Sequence, residues 1–159
     1  MRPFLTLVTL SLLSSTTAAA QGTTAANAPR FDRAQFASLG LLAGRWRGSG
    51  GGGLASVGAF FEEYGQIDDS TLVQRTFADS SFQTVTDSTR LVWRGGGIAW
   101  LQTRGNPLHA IEVSPDGAVF GQQSGAPLTI RRESPDRWRV TIPSGPGGQP
   151  SFYLMQRIP

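Results

Sequence analysis

The fold turns on Leu39-Gly40-Leu41-Leu42-Ala43-Gly44-Arg45-Trp46-Arg47-Gly48, where a short apolar run tightens at a glycine and then presents a tryptophan between two arginines. Upstream, Asp32 can cap the N–H groups of a short helix, Gln35 stands where a capping box wants Glu or Gln, and Phe31 and Phe36 have the spacing of a hydrophobic staple. This predicts a helix of two turns through about Leu39, stopped by Gly40. Downstream, nothing reads as helix.

Turn signals recur at short intervals after Leu41: Gly50-Gly51-Gly52-Gly53, Asp68-Asp69, Gly95-Gly96-Gly97, Gly105-Asn106-Pro107, Ser114-Pro115-Asp116-Gly117, Ser134-Pro135-Asp136 and Ser144-Gly145-Pro146-Gly147-Gly148. The runs between them suit strands. They cover 42 to 48, 57 to 66, 70 to 78, 84 to 94, 97 to 103, 107 to 114, 117 to 122, 127 to 133, 137 to 143 and 151 to 158. Connections this short forbid parallel crossovers, so neighbours pair antiparallel. The fold class is all-β, a single antiparallel up-and-down barrel of about 8 to 10 strands with a short N-terminal helix.

Alternation with a period of two selects the inner face. Leu128 and Ile130, then Trp138, Val140 and Ile142, then Phe152, Leu154 and Ile158 alternate with Thr129, Arg131, Arg139, Thr141, Tyr153 and Arg157. The middle strands are apolar on both faces: Phe60 adjoins Phe61, and Ile98 and Trp100 share a run with Ala99 and Leu101. A helix or flap over the outside would account for that.

The chain begins Met1-Arg2-Pro3, continues with an apolar run from Phe4 to Leu13 and reaches Ala18-Ala19-Ala20, the three parts of a secretory signal peptide. Cleavage is expected after Ala20. The apolar run is half the roughly 20 residues of a membrane span, so no transmembrane segment is expected in the mature chain, and localisation is secreted or periplasmic. Residues 21–30 are small and polar and read as a disordered linker. Residues 31–159 then form one barrel domain, of a size that buries roughly two thirds of its unfolded surface.

There is no cysteine among the 159 residues, so thiol nucleophiles, Cys-ligated zinc and iron–sulfur clusters are excluded. All 14 basic residues are arginine, spread along the chain with no run longer than Arg131-Arg132. Such a distribution offers no phosphate-tracking stripe, and no nucleic-acid partner is expected. Absence of lysine removes Schiff-base chemistry.

Candidate chemistry is sparse. Gly48-Ser49-Gly50-Gly51-Gly52-Gly53 satisfies G-x-G-x-x-G, but no helix follows it to receive a pyrophosphate, and a flexible first hairpin loop explains the glycines. Glu62 and Glu63 are neighbours in a strand and face opposite sides. If Glu62 shares the inner face with Phe60 and Tyr64, its carboxylate needs a partner there, and Arg75 and Arg90 on the next strands are the candidates. His109 is the only histidine; Glu112, three residues on, faces the other side of a strand, so the pair makes no metal site. No G-x-S-x-G elbow occurs.

The short helix, the Gly44-Arg45-Trp46 segment and the antiparallel strands ending near Arg157 resemble the calycin superfamily of lipocalins, fatty-acid-binding proteins and nitrobindin-like barrels. The resemblance spans about residues 36 to 158 and is similar in kind to small secreted bacterial lipocalin-like proteins of unknown function. It implies that Trp46, set by Gly44, closes one barrel end beneath Arg157. Nitrobindin-like barrels share the Gly-x-Trp-x-Gly-x-Gly start and bind haem through a histidine after a Gly-Gln-Pro turn. Here Gly148-Gln149-Pro150 leads into Ser151-Phe152-Tyr153-Leu154-Met155 without one, so no cofactor is expected.

The leading functional expectation is a non-enzymatic binding protein for a small apolar or amphipathic ligand. Phe60, Glu62, Tyr64, Arg75, Arg90, Leu91, Trp93, Trp100 and Phe120 are the cavity candidates. The alternative is a structural or interaction barrel of the cell envelope whose aromatic interior is self-filled, with hydrolysis or haem binding behind both. The sequence sets no oligomeric state.

Overall fold

The computed structural model describes residues 28–121, 126–144 and 148–159. The expected signal peptide and most of the expected linker lie outside these residues. The linker's last residue, Arg30, does not read as free chain: its guanidinium donates to the Gly95 carbonyl at 3.4 Å.

Helix α1 (Arg33–Ser38) starts as its sequence dictates. The Gln35 N–H donates to the Asp32 carboxylate at 2.8 Å, and the Asp32 N–H donates back to the Gln35 side chain at 2.9 Å, a complete capping box. Gly40 does not end the element. It lies within a 3₁₀ turn (Leu39–Leu42) that continues the winding and buries Leu39, Leu41 and Leu42.

Ten strands follow: β1 (Gly44–Gly51), β2 (Phe60–Asp68), β3 (Thr71–Phe77), β4 (Val85–Arg94), β5 (Gly97–Leu101), β6 (Leu108–Ser114), β7 (Gly117–Gly121), β8 (Leu128–Ser134), β9 (Arg137–Ile142) and β10 (Ser151–Arg157). Each pairs antiparallel with its sequence neighbours, and β1 pairs with β10, so the sheet is a closed up-and-down barrel without an edge. The closing register sets Trp46 opposite Arg157 and Gly48 opposite Met155.

α1, the 3₁₀ turn and the tight hairpins at 68–71, 94–97, 114–117 and 134–137 gather at one end. The Phe31 N–H bonds the Gly96 carbonyl at 2.7 Å, and Ser38 bonds the Ser114 carbonyl at 3.3 Å. Leu42, Leu91, Ile98 and Phe120 are buried in the barrel interior at 1% exposure or less. The longer connections 52–59, 78–84 and 102–107 lie at the other, open end. No helix among the described residues is long and apolar enough to cross a membrane.

Two expectations about faces need correction. The glycine run is not a free hairpin loop: β1 extends through Gly51, and the glycines make room for rings from adjacent strands. A Cβ on Gly48 would lie 2.1 Å from Phe60, and one on Gly51 2.1 Å from Phe152. The phase of β10 is also opposite to the expected one. Met155 pairs with inward Trp138 and Tyr153 with inward Val140, so Tyr153, Met155 and Arg157 face in. Phe152 lies outside, with the Arg139 guanidinium 4.3 Å from its ring centre, and that cover makes an outward Phe tolerable.

The doubly apolar middle strands have a local cause on β2 and β3. The 78–84 connection folds back over the outer face, where Phe82 packs edge-on to Phe61 and Phe77 at ring separations of 6.1 and 5.0 Å. Arg45 lies over the same ring at 4.8 Å.

Candidate functional site: an aromatic cavity with one carboxylate

Because β2 and β3 pair with Glu62 opposite Thr76 and Tyr64 opposite Gln74, their inward residues are Phe60, Glu62 and Tyr64 beside Leu72, Gln74 and Thr76. Across the next seam Gln74 meets Thr89, and Leu91 meets Trp100. Toward the open end these faces enclose a cavity of about 390 Å³, mostly apolar, with Phe60, Tyr64, Trp100, Trp138, Val140, Ile142 and Tyr153 in its wall and Glu62 as its one charged group. A more polar recess of about 540 Å³ adjoins it, sharing Gln74, Trp100 and Gln102 and continuing to Asp87, Thr103 and Arg104 at the mouth.

Glu62 terminates a directed hydrogen-bond chain. The Trp100 indole N–H, which can only donate, bonds Thr89 Oγ1 at 2.8 Å. The Thr89 hydroxyl therefore donates onward, to Gln74 Oε1 at 2.7 Å, which fixes the amide so that Gln74 Nε2 donates to Glu62 Oε1 at 2.7 Å. The Tyr64 hydroxyl donates to Glu62 Oε2 at 2.8 Å. Two donors converge on the carboxylate and favour its anion. Burial opposes them and prevails, pushing the Glu62 carboxyl above its ordinary range. The Tyr64 hydroxyl is pushed well up for the same reason and by the neighbouring carboxylate.

The closed end supports this site through a column of rings. The Arg157 guanidinium lies 4.3 Å over Trp46 and donates to the Ala43 carbonyl at 3.1 Å, while the Trp46 N–H donates to the Leu42 carbonyl at 2.7 Å. Gly44, at φ +122°, leaves space that a Cβ would take from Arg157, approaching Nη1 to 2.3 Å. Trp46 meets Trp138 edge-on at 5.6 Å, and Trp138 meets Tyr64 at 5.7 Å. The residue that plugs one end thus props the cavity floor. Trp138 is 1% exposed, and its indole N–H has no partner among the described residues.

Of the residues singled out from sequence, Phe60, Glu62, Tyr64 and Trp100 meet at the cavity. Arg75 does not: it faces outward and pairs with Glu63 at 3.6 Å, alongside Arg45 at 2.9 Å from the same carboxylate. Arg90 is exposed, opposite Val73 and Leu101 on the outer face. Leu91 and Phe120 are fully buried core; Phe120 braces Trp100 from behind at 5.7 Å. Trp93 belongs to the closed end, where its N–H bonds the Phe31 carbonyl at 2.8 Å and Arg33 lies over its ring at 5.6 Å. The partners of Glu62 that sequence reasoning missed, Gln74 and Thr89, share its parity across β3 and β4. His109 is exposed on β6, and no cluster of three His, Asp or Glu suited to a metal ion occurs among the described residues.

No family model matches the chain, and no curated protein matches it. A solved structure, the crystal structure of Rv2717c from M. tuberculosis, is similar over 79% of this chain and 98% of that chain, with 13% identity and a TM-score of 0.44.

Proposed function

We propose that this protein is an exported, lipocalin-like binding protein, non-enzymatic, that holds a small apolar or amphipathic ligand inside the open end of its barrel. The cavity carries the reading. Its volume of about 390 Å³ is within the range of small-ligand sites, roughly 300 to 1,000 Å³, and exceeds what a self-filled interior would leave. Apolar walls with a few fixed polar groups are the composition such sites share. Export rests on the signal-like start of the chain, with its basic, apolar and Ala-Ala-Ala parts.

Trp100 and Trp138 stand in the cavity wall and report on its contents. Titrating a neutral alkanol should change tryptophan emission saturably. Thr76→Phe, which places a ring in the cavity from β3, should abolish the response while leaving the fold intact by circular dichroism. An unsaturable response, or one that Thr76→Phe leaves alone, would contradict the reading.

A further inference from the structure

We infer that the ligand carries a protonated amine, and that Glu62 is its counter-ion. This rests on the cavity being a ligand site and names the chemistry the site selects. Three observations converge on it.

The first is charge. Glu62 is the one ionisable acid or base in the cavity wall apart from the two tyrosines, Tyr64 and Tyr153. The groups that reach it are neutral, Tyr64 from β2 and Gln74 from β3, and behind Gln74 stands Thr89 of β4, neutral as well. The arginines expected as its partners, Arg75 and Arg90, are on the outside. Arg157 faces in at the other end, occupied by Trp46, the Ala43 carbonyl and Asp136 at 3.4 Å. Arg104 at the mouth of the adjoining recess stands with Asp87. Among the described residues the site therefore holds a carboxylate without a protein cation, which disfavours a fatty-acid anion and favours a positive ligand.

The second is valence. An ionised carboxylate accepts at about four lone-pair positions. The protein supplies one donor to each oxygen, from Gln74 and Tyr64, so acceptor capacity remains for the N–H groups of an ammonium. The third is the wall itself. Five aromatic residues, Phe60, Tyr64, Trp100, Trp138 and Tyr153, line the same cavity as this one carboxylate. Aromatic rings with an anion are the pairing that stabilises ammonium groups by cation–π attraction while their carbon substituents are buried.

The test compares octylamine, octanol and octanoate, equal in chain and different in head group, by titration calorimetry at neutral pH against the wild type and Glu62→Gln. The amine should bind wild type about tenfold or more tightly than the alcohol, and the acid most weakly. Glu62→Gln should bring the amine to the level of the alcohol, with a melting temperature no lower than that of wild type. Octanoate binding as tightly as octylamine, or an amine preference that survives Glu62→Gln, overturns the amine assignment and leaves the cavity reading standing. Failure of all three to bind the folded wild type overturns both.

Discussion

Glu62 contributes to stability with a sign that is unusual for a carboxylate. Its folded-state pKa lies above the ordinary value of 4.5 because of burial, so the folded chain holds the proton more tightly than the unfolded one. The stability this group adds is present below the unfolded pKa and is lost as pH rises through the folded one. Glu62→Gln removes that loss. Between about pH 4 and about pH 7 the melting temperature of the variant should therefore rise relative to wild type; curves that stay parallel would mean that Glu62 is not desolvated. The surface carboxylates Asp68, Asp79 and Asp87, each held low chiefly by hydrogen bonds, from Ser70, Ser81 and Thr103 respectively, act in the opposite direction in both proteins and cancel from the difference. Trp46 is the other decisive residue. At 1% exposure, beneath Arg157 and against Trp138, its replacement by alanine should cost about 3 to 5 kcal/mol, read by denaturant unfolding. The same cavity should loosen Tyr64 and Glu62 above it, so Trp46→Ala should also weaken alkanol binding. Arg157→Met keeps the aliphatic stem and should cost less, about 0.5 to 2 kcal/mol for the lost cation–π contact.

Strand β1 shows what the glycines are for. Gly48 is buried against the Phe60 ring, which in turn meets Tyr153 edge-on at 5.3 Å. Gly48→Val should displace Phe60, lower the melting temperature and reduce ligand capacity together; Gly58→Ala, with nothing within 4 Å of the new Cβ, is the control that should do neither. Turn chemistry made the strand ends legible: the Asp-, Pro- and Gly-rich junctions bounded ten candidate segments for a barrel expected to have 8 to 10 strands, and ten strands are present among the described residues, with boundaries displaced by a few residues. Phase was legible only where one face is polar. β9 alternates Trp138, Val140 and Ile142 with Arg137, Arg139 and Thr141, and its inner face was plain. β3 carries the pair Leu72-Val73 and β10 runs Phe152-Tyr153-Leu154-Met155, apolar on both faces, so periodicity could not choose between them. What chose was packing: Phe152 finds Arg139 outside, and Phe77 finds Phe82. The error over Arg75 follows directly, since a shift of one residue on β3 exchanges Arg75 for Gln74 as the partner of Glu62.

At the scale of the molecule, a closed barrel divides naturally into a plugged half and an open half. α1 and the 3₁₀ turn cover the end where Trp46 and Arg157 meet, and the core fills that half with Leu42, Leu91, Ile98 and Phe120. The open half is left to Phe60, Glu62, Tyr64 and the β9–β10 wall. The sequence located the plug through Gly44-Arg45-Trp46 because a large ring beside glycine has a local signature. It did not locate the cavity as a whole, because a lumen is made by residues of equal parity on strands far apart in the chain, and empty space has no residue of its own. Nor did it show that Trp46 reaches the site through Trp138 and Tyr64, a link made across the lumen, since β10 separates β1 from β9 in the closed barrel.

Native mass spectrometry of the protein purified from its own host reads out whether the open half holds a small molecule. Wild type should carry a single small-molecule adduct, released on denaturation, that Thr76→Phe purified in the same way lacks. A wild-type protein at its bare polypeptide mass, or an adduct equally present on Thr76→Phe, would contradict the account.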